Sequence, residues 1–386
     1  MRVLTFLHSF EPGGVERVAL RLVRRWRALG VDAPLFLGRA DGPLREEVAA
    51  GLAFDTPRQP PWGTGWWETS WMILKLPGHV RRTRPDVVFC AGSTYTVVAV
   101  ALKLLLGSAC PPIAAKISND LARADLPPAA RAAWAAWLRL QARFIDRWVV
   151  MEDSILADVD ARLGAVDRVV VPDPAIDEVQ IAAIGGTSFG MAGKIRYLSV
   201  GRLVHQKDHA LMLKAFALGA GSDDSLTLMG DGPLRDDLAR LAVSLGIGGQ
   251  VIFAGHVPDA ARRMPDYDVV LMSSRYEGVP AVLVEALAAG RRIVSTDCGP
   301  GVRALLDGGL GTIVPRGDPA LLAAALRACP GRPLNRTAAS ERARRFTLGG
   351  AAELYLVAMR ELVGRTGREA CLGAGAEHIS GRERAA

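Results

Sequence analysis

Short apolar runs alternate with amphipathic stretches along this chain, and the whole alternation occurs twice. In the first half the strand candidates are Arg2–Leu7, Ala33–Gly38, Asp86–Cys90, Pro112–Ile117, Arg147–Met151 and Arg168–Val171, with helices between them, notably Val15–Leu29 and Thr94–Leu106. Such alternation predicts a parallel sheet covered on both faces. Proline and glycine then cluster from Pro172-Asp173-Pro174 to the glycines between Gly185 and Gly193, which reads as a linker. The pattern restarts with strands Ile195–Val200, Leu226–Met229, Val251–Ala254, Val269–Met272, Arg292–Ser295 and Gly311–Val314. Its helices are His209–Leu218, Leu234–Leu245, Pro280–Ala289 and Pro319–Ala328. The expected fold is therefore α/β with two successive doubly wound, Rossmann-like domains, residues 1–172 and 194–346, joined by a linker at 173–193. A C-terminal helix at 347–363, centred on Gly350–Val363, follows. The tail 364–386 is poor in apolar residues and is expected to be disordered.

Composition removes several classes. A length of 386 residues allows two large cores. The net charge of +7 is modest, and no RNA-binding signature, basic block or zinc-like Cys/His spacing occurs, so nucleic acid is not an expected partner. Five scattered cysteines argue against a disulfide framework and for a reducing, cytoplasmic setting. Met1–His8 lacks a long apolar core and a small-residue cleavage site and reads as a first strand. The longest apolar run, Val97–Leu106, carries Lys103 and falls short of the roughly 18 residues needed to span a bilayer.

The chemistry concentrates in residues 273–290. The buried strand candidate ending at Met272 leads through Ser273-Ser274-Arg275-Tyr276-Glu277-Gly278-Val279 into a helix opened by Pro280 and closed by Gly290. Glu285 sits among Val282, Leu283, Val284, Ala286 and Leu287, so that helix is expected to be buried nearly all round. A buried carboxylate is costly unless paired or hydrogen-bonded, which allows either a structural glutamate satisfied by backbone or one that receives ligand hydroxyls. The free N–H groups at the helix start suit an anion.

Glu277 and Glu285 stand eight positions apart, and the core Glu277-Gly278-Val279-Pro280 with the continuation Glu285-Ala286-Leu287-Ala288-Ala289-Gly290 resembles the two-glutamate element of retaining GT-B glycosyltransferases, especially glycosyltransferase family 4. Other segments share that resemblance. Gly13-Gly14-Val15-Glu16-Arg17 is similar to the family's Gly-Gly-x-Glu-Arg loop; taken alone it is equally a tight turn, and it is no G-x-G-x-x-G fingerprint, which argues against a dehydrogenase. Gly201-Arg202, followed by Lys207 in a chain with few lysines, matches the Gly-Arg-(x)4-Lys element, and the adjacent Asp208 reads as the N-cap of the next helix. Gly230-Asp231-Gly232-Pro233, Gly255-His256-Val257 and Asp297-Cys298-Gly299-Pro300-Gly301 match further turns of the family.

The resemblance implies a GT-B protein whose N-terminal domain takes the acceptor and whose C-terminal domain takes a nucleotide sugar, the two facing a cleft. It implies donor contacts from Gly13, Gly14, Gly201, Arg202, Lys207, Val257, Glu277, Gly278, Val279, Pro280, Ala281 and Glu285. Glu285 would hold ribose hydroxyls and Glu277 the sugar. Arg202 and Lys207 would neutralise the departing diphosphate, a role fixed cations fill without a metal. No cofactor or metal is expected beyond the donor substrate. On the acceptor side many relatives carry a His just after the fourth strand; here Lys116-Ile117-Ser118-Asn119-Asp120 has none, leaving Ser118, Asn119 and Asp120 as candidates, with Asp120 joining Glu277, Arg202 and Lys207 as expected catalytic groups.

All eight tryptophans lie in the first half, four of them in Trp62–Trp71, ahead of Arg81, Arg82 and Arg84; a helix Arg131–Arg147 carries Trp134 and Trp137. Tryptophan with arginine suits an anionic membrane interface, and equally suits sugar stacking or a core beside solvated arginines. The expected function is a retaining, metal-independent transferase moving a sugar from a nucleotide diphosphate sugar to a glycan or lipid-linked acceptor in polysaccharide or glycolipid biosynthesis, with peripheral binding at the inner face of the cytoplasmic membrane. The alternatives are a non-catalytic GT-B partner or sugar-binding subunit and a nucleotide-sugar 2-epimerase. A glycan phosphorylase is excluded, because no lysine follows Lys214 to hold pyridoxal.

Overall fold

A computed structural model describes the chain except residues 119, 120, 122, 124, 125, 185–192, 333 and 384–386; for 367–383 it describes backbone alone. Two compact units result, Met1–Val171 with Ala351–Ala386, and Pro172–Gly350.

The first unit holds β1 (Val3–Leu7), β2 (Leu35–Leu37), β3 (Val87–Cys90), β4 (Ile113–Lys116), β5 (Arg147–Val150) and β6 (Arg168–Val170), in the spatial order β2-β1-β3-β4-β5-β6. The second holds β7 (Arg196–Val200), β8 (Ser225–Met229), β9 (Val251–Gly255), β10 (Val269–Met272), β11 (Arg292–Thr296) and β12 (Thr312–Val314), in the order β12-β11-β10-β7-β8-β9. Every named ladder pair is parallel. That explains the near-continuous apolar strands: β1, β3 and β10 are buried along their whole length because helices cover both faces. In each unit the chain reverses direction across the sheet once, between β1 and β3 and between β7 and β10. Such reversal points leave a crevice at the carboxyl ends of the strands, where ligands bind in open α/β sheets.

Three sequence expectations need correction. The linker 173–193 is not a free connection throughout: Ala175, Ile176 and Ile184 are buried in the core of the second unit, and Ile176 bridges to Thr347 beside a helix at Glu178–Ile184. The rest of that linker, 185–192, lies outside the described residues. The helix placed at Arg131–Arg147 runs Pro128–Gln141 instead, because Arg147 already belongs to β5. The C-terminal helix, placed at 347–363, spans Leu348–Glu383, so the backbone is helical where a disordered tail was expected.

The tryptophans divide. Trp26, Trp71 and Trp148 are core residues, whereas Trp62 and Trp66 are exposed. A further helix, Glu68–Thr83, contains Pro77, which hides its periodicity in the sequence.

The C-terminal helix is tied to the first unit by specific bonds. Trp26 Nε1 donates to the Ala352 carbonyl at 3.0 Å. Arg147, 2 % exposed as a side chain, donates to the Ala358 carbonyl and pairs with Asp167 and Glu361. Tyr355 is fully buried and packs edge-on against Phe89 at 5.2 Å between centroids. Tyr355→Ala should cost about 3 kcal/mol or more, as large-to-small core changes do, and urea denaturation should show the loss in the transition of the first unit.

Candidate active site

The second unit places its key side chains at the reversal point. Lys207 follows β7 and Glu277 follows β10, the two strands on either side of that point. Lys207 Nζ donates to Glu277 Oε1 at 2.5 Å, with the side chains 21 % and 11 % exposed. A charge-assisted bond this short in a largely desolvated setting fixes both groups.

Their loops are clamped together by backbone. Ser273 Oγ donates to the carbonyl of Lys207 or of Asp208, at 2.8 and 2.9 Å. Arg275 N donates to the Gln206 carbonyl and Gln206 Nε2 to the Tyr276 carbonyl. Glu277 N donates to the Cys298 carbonyl at 2.9 Å, which brings in the loop after β11. Gly299 sits there at φ +155°, where a Cβ would stand 2.6 Å from the Glu277 carbonyl oxygen. Only glycine lets the Cys298–Gly299 turn lie against the Glu277 backbone.

Asp208, expected to cap the helix His209–Gly219, does not. It adopts φ 46°, a left-handed conformation that aspartate tolerates, makes no side-chain cap bond, and pairs through its carboxylate with Arg275 Nε at 2.9 Å. Pro280 is the N-cap of the helix Ala281–Ala288, one position before the first turn, and no side chain caps this N-terminus.

That helix is not buried all round. Ala281 is exposed and Val282 and Glu285 are half-buried, so one open face carries Glu285 while Leu283, Val284, Ala286 and Leu287 face the core. Glu285 therefore escapes the full cost of carboxylate burial that the sequence suggested. Gly201, Gly278 and Val279 are half-buried in the same loops, Arg202 is exposed beside Gly201, and Val257 packs against the core after β9. Cys298 is no nucleophile here, since burial, reinforced by the Glu277 carboxylate, pushes its thiol up to about 12.

In the first unit Gly13 is the N-cap of the helix Gly14–Ala28, next to the reversal point. A side chain at Gly13 would collide with the Glu16 carboxylate. Glu16 Oε1 accepts from Tyr95 OH at 2.5 Å, and the Tyr95 ring lies 4.7 Å from that of His8. Sequence reasoning missed Tyr95 and His8, which carry no motif; their signal is only that they follow β3 and β1. Ser118 Oγ accepts from Ser93 N at 3.0 Å, which joins the loops after β3 and β4. Asn119 and Asp120 lie outside the described residues. Among the described residues no group of three His, Cys, Asp or Glu side chains is arranged to hold a metal ion.

With this geometry in place, known proteins offer a comparison. Residues 12–179 match the family model described as Glycosyltransferase Family 4, and residues 194–329 match that for glycosyl transferases group 1. The lipopolysaccharide core biosynthesis glycosyltransferase LpsE of Rhizobium meliloti (strain 1021) is 27% identical over 82% of this chain and 85% of its own. The 2-deoxystreptamine glucosyltransferase of Streptomyces kanamyceticus is 34% identical over 42% of this chain and 43% of its own. Among solved structures, Anabaena Alr3699/HepE in complex with UDP superposes with a TM-score of 0.74 at 19% identity, covering 94% of this chain and 100% of that one. The lipopolysaccharide outer core galactosyltransferase WaaB superposes with a TM-score of 0.69 at 18% identity, covering 94% and 99%.

The buried histidines His8, His79 and His209 make stability pH-dependent, burial lowering the pKa of each. Burial, the largest cause in each, lowers His8 and His209 to about 4, with Arg39 and Lys207 respectively adding to the effect. In the unfolded chain both titrate near 6.5. Between pH 6.5 and 4 the unfolded state therefore binds more protons, and stability falls as the pH drops through that window. His209 alone should cost the second unit about 2 kcal/mol between pH 7 and 4.5, and His209→Leu should flatten that loss when urea midpoints are compared at the two pH values.

The two parallel sheets and the two matching family models converge: the chain is a glycosyltransferase of GT-B fold and resembles glycosyltransferase family 4.

Proposed function

We propose that the chain is a retaining, metal-independent glycosyltransferase that moves a sugar from a nucleotide diphosphate sugar to a glycan or lipid-linked acceptor in lipopolysaccharide or polysaccharide biosynthesis. The observation that carries this reading is the Lys207–Glu277 pair at the reversal point of the second sheet. A lysine ammonium has three donors. Lys207 can keep Glu277 oriented with one and reach a donor phosphate oxygen with another. Glu277 then accepts from hydroxyls of the transferred sugar, and Glu285, on the open face of its helix, takes ribose hydroxyls.

As the glycosidic bond breaks, negative charge collects on the leaving diphosphate. Lys207, Arg202 and the uncapped N-terminus at Pro280-Ala281 are positioned to stabilise that charge. Glu277 is engaged with Lys207, so it serves as a positioning group; the acceptor attacks from the face the diphosphate leaves, and a phosphate oxygen takes its proton. The complexes of HepE with UDP and of the pneumococcal O-GlcNAc transferase GtfA with UDP and GlcNAc support a uridine nucleotide as the first donor to try.

The same reading includes peripheral membrane attachment. Among the described residues no helix is long and apolar enough to cross a membrane. The helix Glu68–Thr83 exposes Leu74, Lys75, Arg81 and Arg82 on one face, and the helix Thr96–Leu106 packed beside it exposes Leu104 and Leu105. Apolar and cationic side chains on one face suit an anionic leaflet.

A thermal-shift screen of UDP, GDP, ADP and CMP, each with its common sugars, tests the donor site. One nucleotide class should raise the melting temperature of the wild type, and Lys207→Ala should abolish the rise. The anomeric configuration of the transferred sugar, read by NMR, should match that of the donor; inversion would refute retention. Binding without donor hydrolysis or transfer would favour a non-catalytic partner subunit instead. Anionic vesicles at low salt should sediment the wild type and release Leu104→Glu/Leu105→Glu; no sedimentation of the wild type would remove the membrane from this reading.

A further inference from the structure

Beside the carboxyl end of β2, at the edge of the first sheet, lies an open depression of about 520 Å³ lined by Arg39, Asp41, Arg45, Gln59, Thr64 and Gly65. Its wall is joined to the loop after β1, because Arg39 N donates to the His8 carbonyl and Phe10 N to the Asp41 carbonyl, both at 2.8 Å. Its polar walls are held rigidly. Gln59 Nε2 donates to the Gly38 carbonyl at 2.7 Å, and Thr64 Oγ1, on a residue 1 % exposed, donates to Gln59 Oε1 at 2.7 Å. The Arg39 guanidinium is braced by Asp41 Oδ2 at 2.8 Å and Glu68 Oε2 at 3.2 Å, while its Nε is buried and has no hydrogen-bond partner. A Cβ at Gly65 would stand 3.3 Å from Arg39 Nη1, so the missing side chain leaves the guanidinium room. The Asp41 side chain is 57% exposed and keeps acceptor capacity toward the open side.

The wall segment Gly63–Gly65 is bounded in sequence by two solvent-facing indoles, Trp62 at 71% and Trp66 at 83% exposure. Trp67 donates to the Gly63 carbonyl and packs against Trp71, and the Trp66 ring meets that of Trp67 at 6.0 Å between centroids while most of its surface stays in solvent. Leaving two indoles in water forgoes burial that aromatic side chains otherwise dominate. The chemistry of the depression narrows its occupant. A nucleotide diphosphate wants close backbone N–H groups, which lie after β1 and at the uncapped helix of the second unit. A lipid surface needs no such preset donors and acceptors. A pyranose has an edge of hydroxyls, each both donor and acceptor, and an apolar C–H face that covers an indole. A volume of this size suits one or two such rings.

We infer that this depression binds a saccharide unit of the acceptor, with Asp41 and Arg39 taking its hydroxyls and Trp66 stacking on its face. The inference rests on the glycan-acceptor part of the proposed function and adds where and by which groups the acceptor is held. Gln59 and Thr64 act as positioning residues that keep the wall in shape.

The test uses the full chain labelled with 5-fluorotryptophan, its Trp66 ¹⁹F resonance assigned with Trp66→Phe. Maltose, lactose, chitobiose and a glucuronic-acid-containing disaccharide are titrated in turn. At least one should shift the Trp66 resonance saturably, and Asp41→Asn should weaken that binding at least tenfold with the melting temperature unchanged. The inference fails if none of the four moves the resonance, if Asp41→Asn binds as tightly as the wild type, or if Trp66 responds to phosphatidylglycerol vesicles alone. Nucleotide-sugar hydrolysis by the same preparation separates the two readings. Hydrolysis with a silent Trp66 overturns this inference alone; a Trp66 response without hydrolysis supports the saccharide site and refutes the transferase.

Discussion

The geometry of the second unit depends on one constraint, that a lysine and a glutamate from loops 70 residues apart in sequence be held in a single short bond. An ion pair of two long side chains does not organise loops by itself. Side-chain entropy and screening leave most such pairs near zero net stability. The organisation comes from the backbone around it. Ser273, Gln206 and Arg275 bond loop to loop through main-chain carbonyls and an amide, so Lys207 and Glu277 start from fixed Cα positions. The pair then loses little further entropy on forming. This is how a partly exposed salt bridge becomes a fixed pair.

Glycine completes that arrangement by omission. At Gly230, φ +146°, a Cβ would stand 2.0 Å from the Gly201 carbonyl oxygen, so the turn after β8 lies directly against the turn that leads to Arg202 and Lys207. Gly299 does the same under Glu277. Loops after β7, β8, β10 and β11 thus form one packed layer at the carboxyl edge of the sheet. The first unit uses a different device. There a buried tyrosine–glutamate bond, Tyr95 to Glu16, joins the loop after β3 to the first turn of the helix after β1, and burial raises the tyrosine pKa so that the phenol stays a donor.

Most of this architecture is legible in the sequence because parallel strands buried on both faces must be apolar throughout. All twelve strands fall within two residues of their expected positions, and Val269–Met272 coincides with its expected bounds. The glutamate helix was legible for a related reason, since Pro280 and Gly290 bracket it. What the sequence hid was relational. The open face of that helix depends on which neighbours cover Ala281, Val282 and Glu285. The capping role of Asp208 was a sound local expectation, defeated when Arg275, 67 positions away, offered a stronger partner. The apparent linker was misread because Pro172, Pro174 and the glycines mask three core residues, Ala175, Ile176 and Ile184.

Tryptophan shows the same limit most sharply. Eight indoles in one half of the chain look like one signal, yet they serve opposite ends. Trp26 and Trp148 are fully packed, and Trp26 donates to the carbonyl of Ala352, fastening the C-terminal helix to the first unit. Trp62 and Trp66 stand in solvent beside a wall of fixed polar groups. Composition alone cannot separate these uses, because an indole offers the same apolar body and single N–H donor in both. The separation comes from whether the fold encloses the ring. Where it does, the residue is structure, even for Trp148, whose buried Nε1 has no hydrogen-bond partner. Where a buried threonine and a braced arginine have been set beside a ring that meets Trp67 yet stays 83% exposed, the ring is held for a ligand.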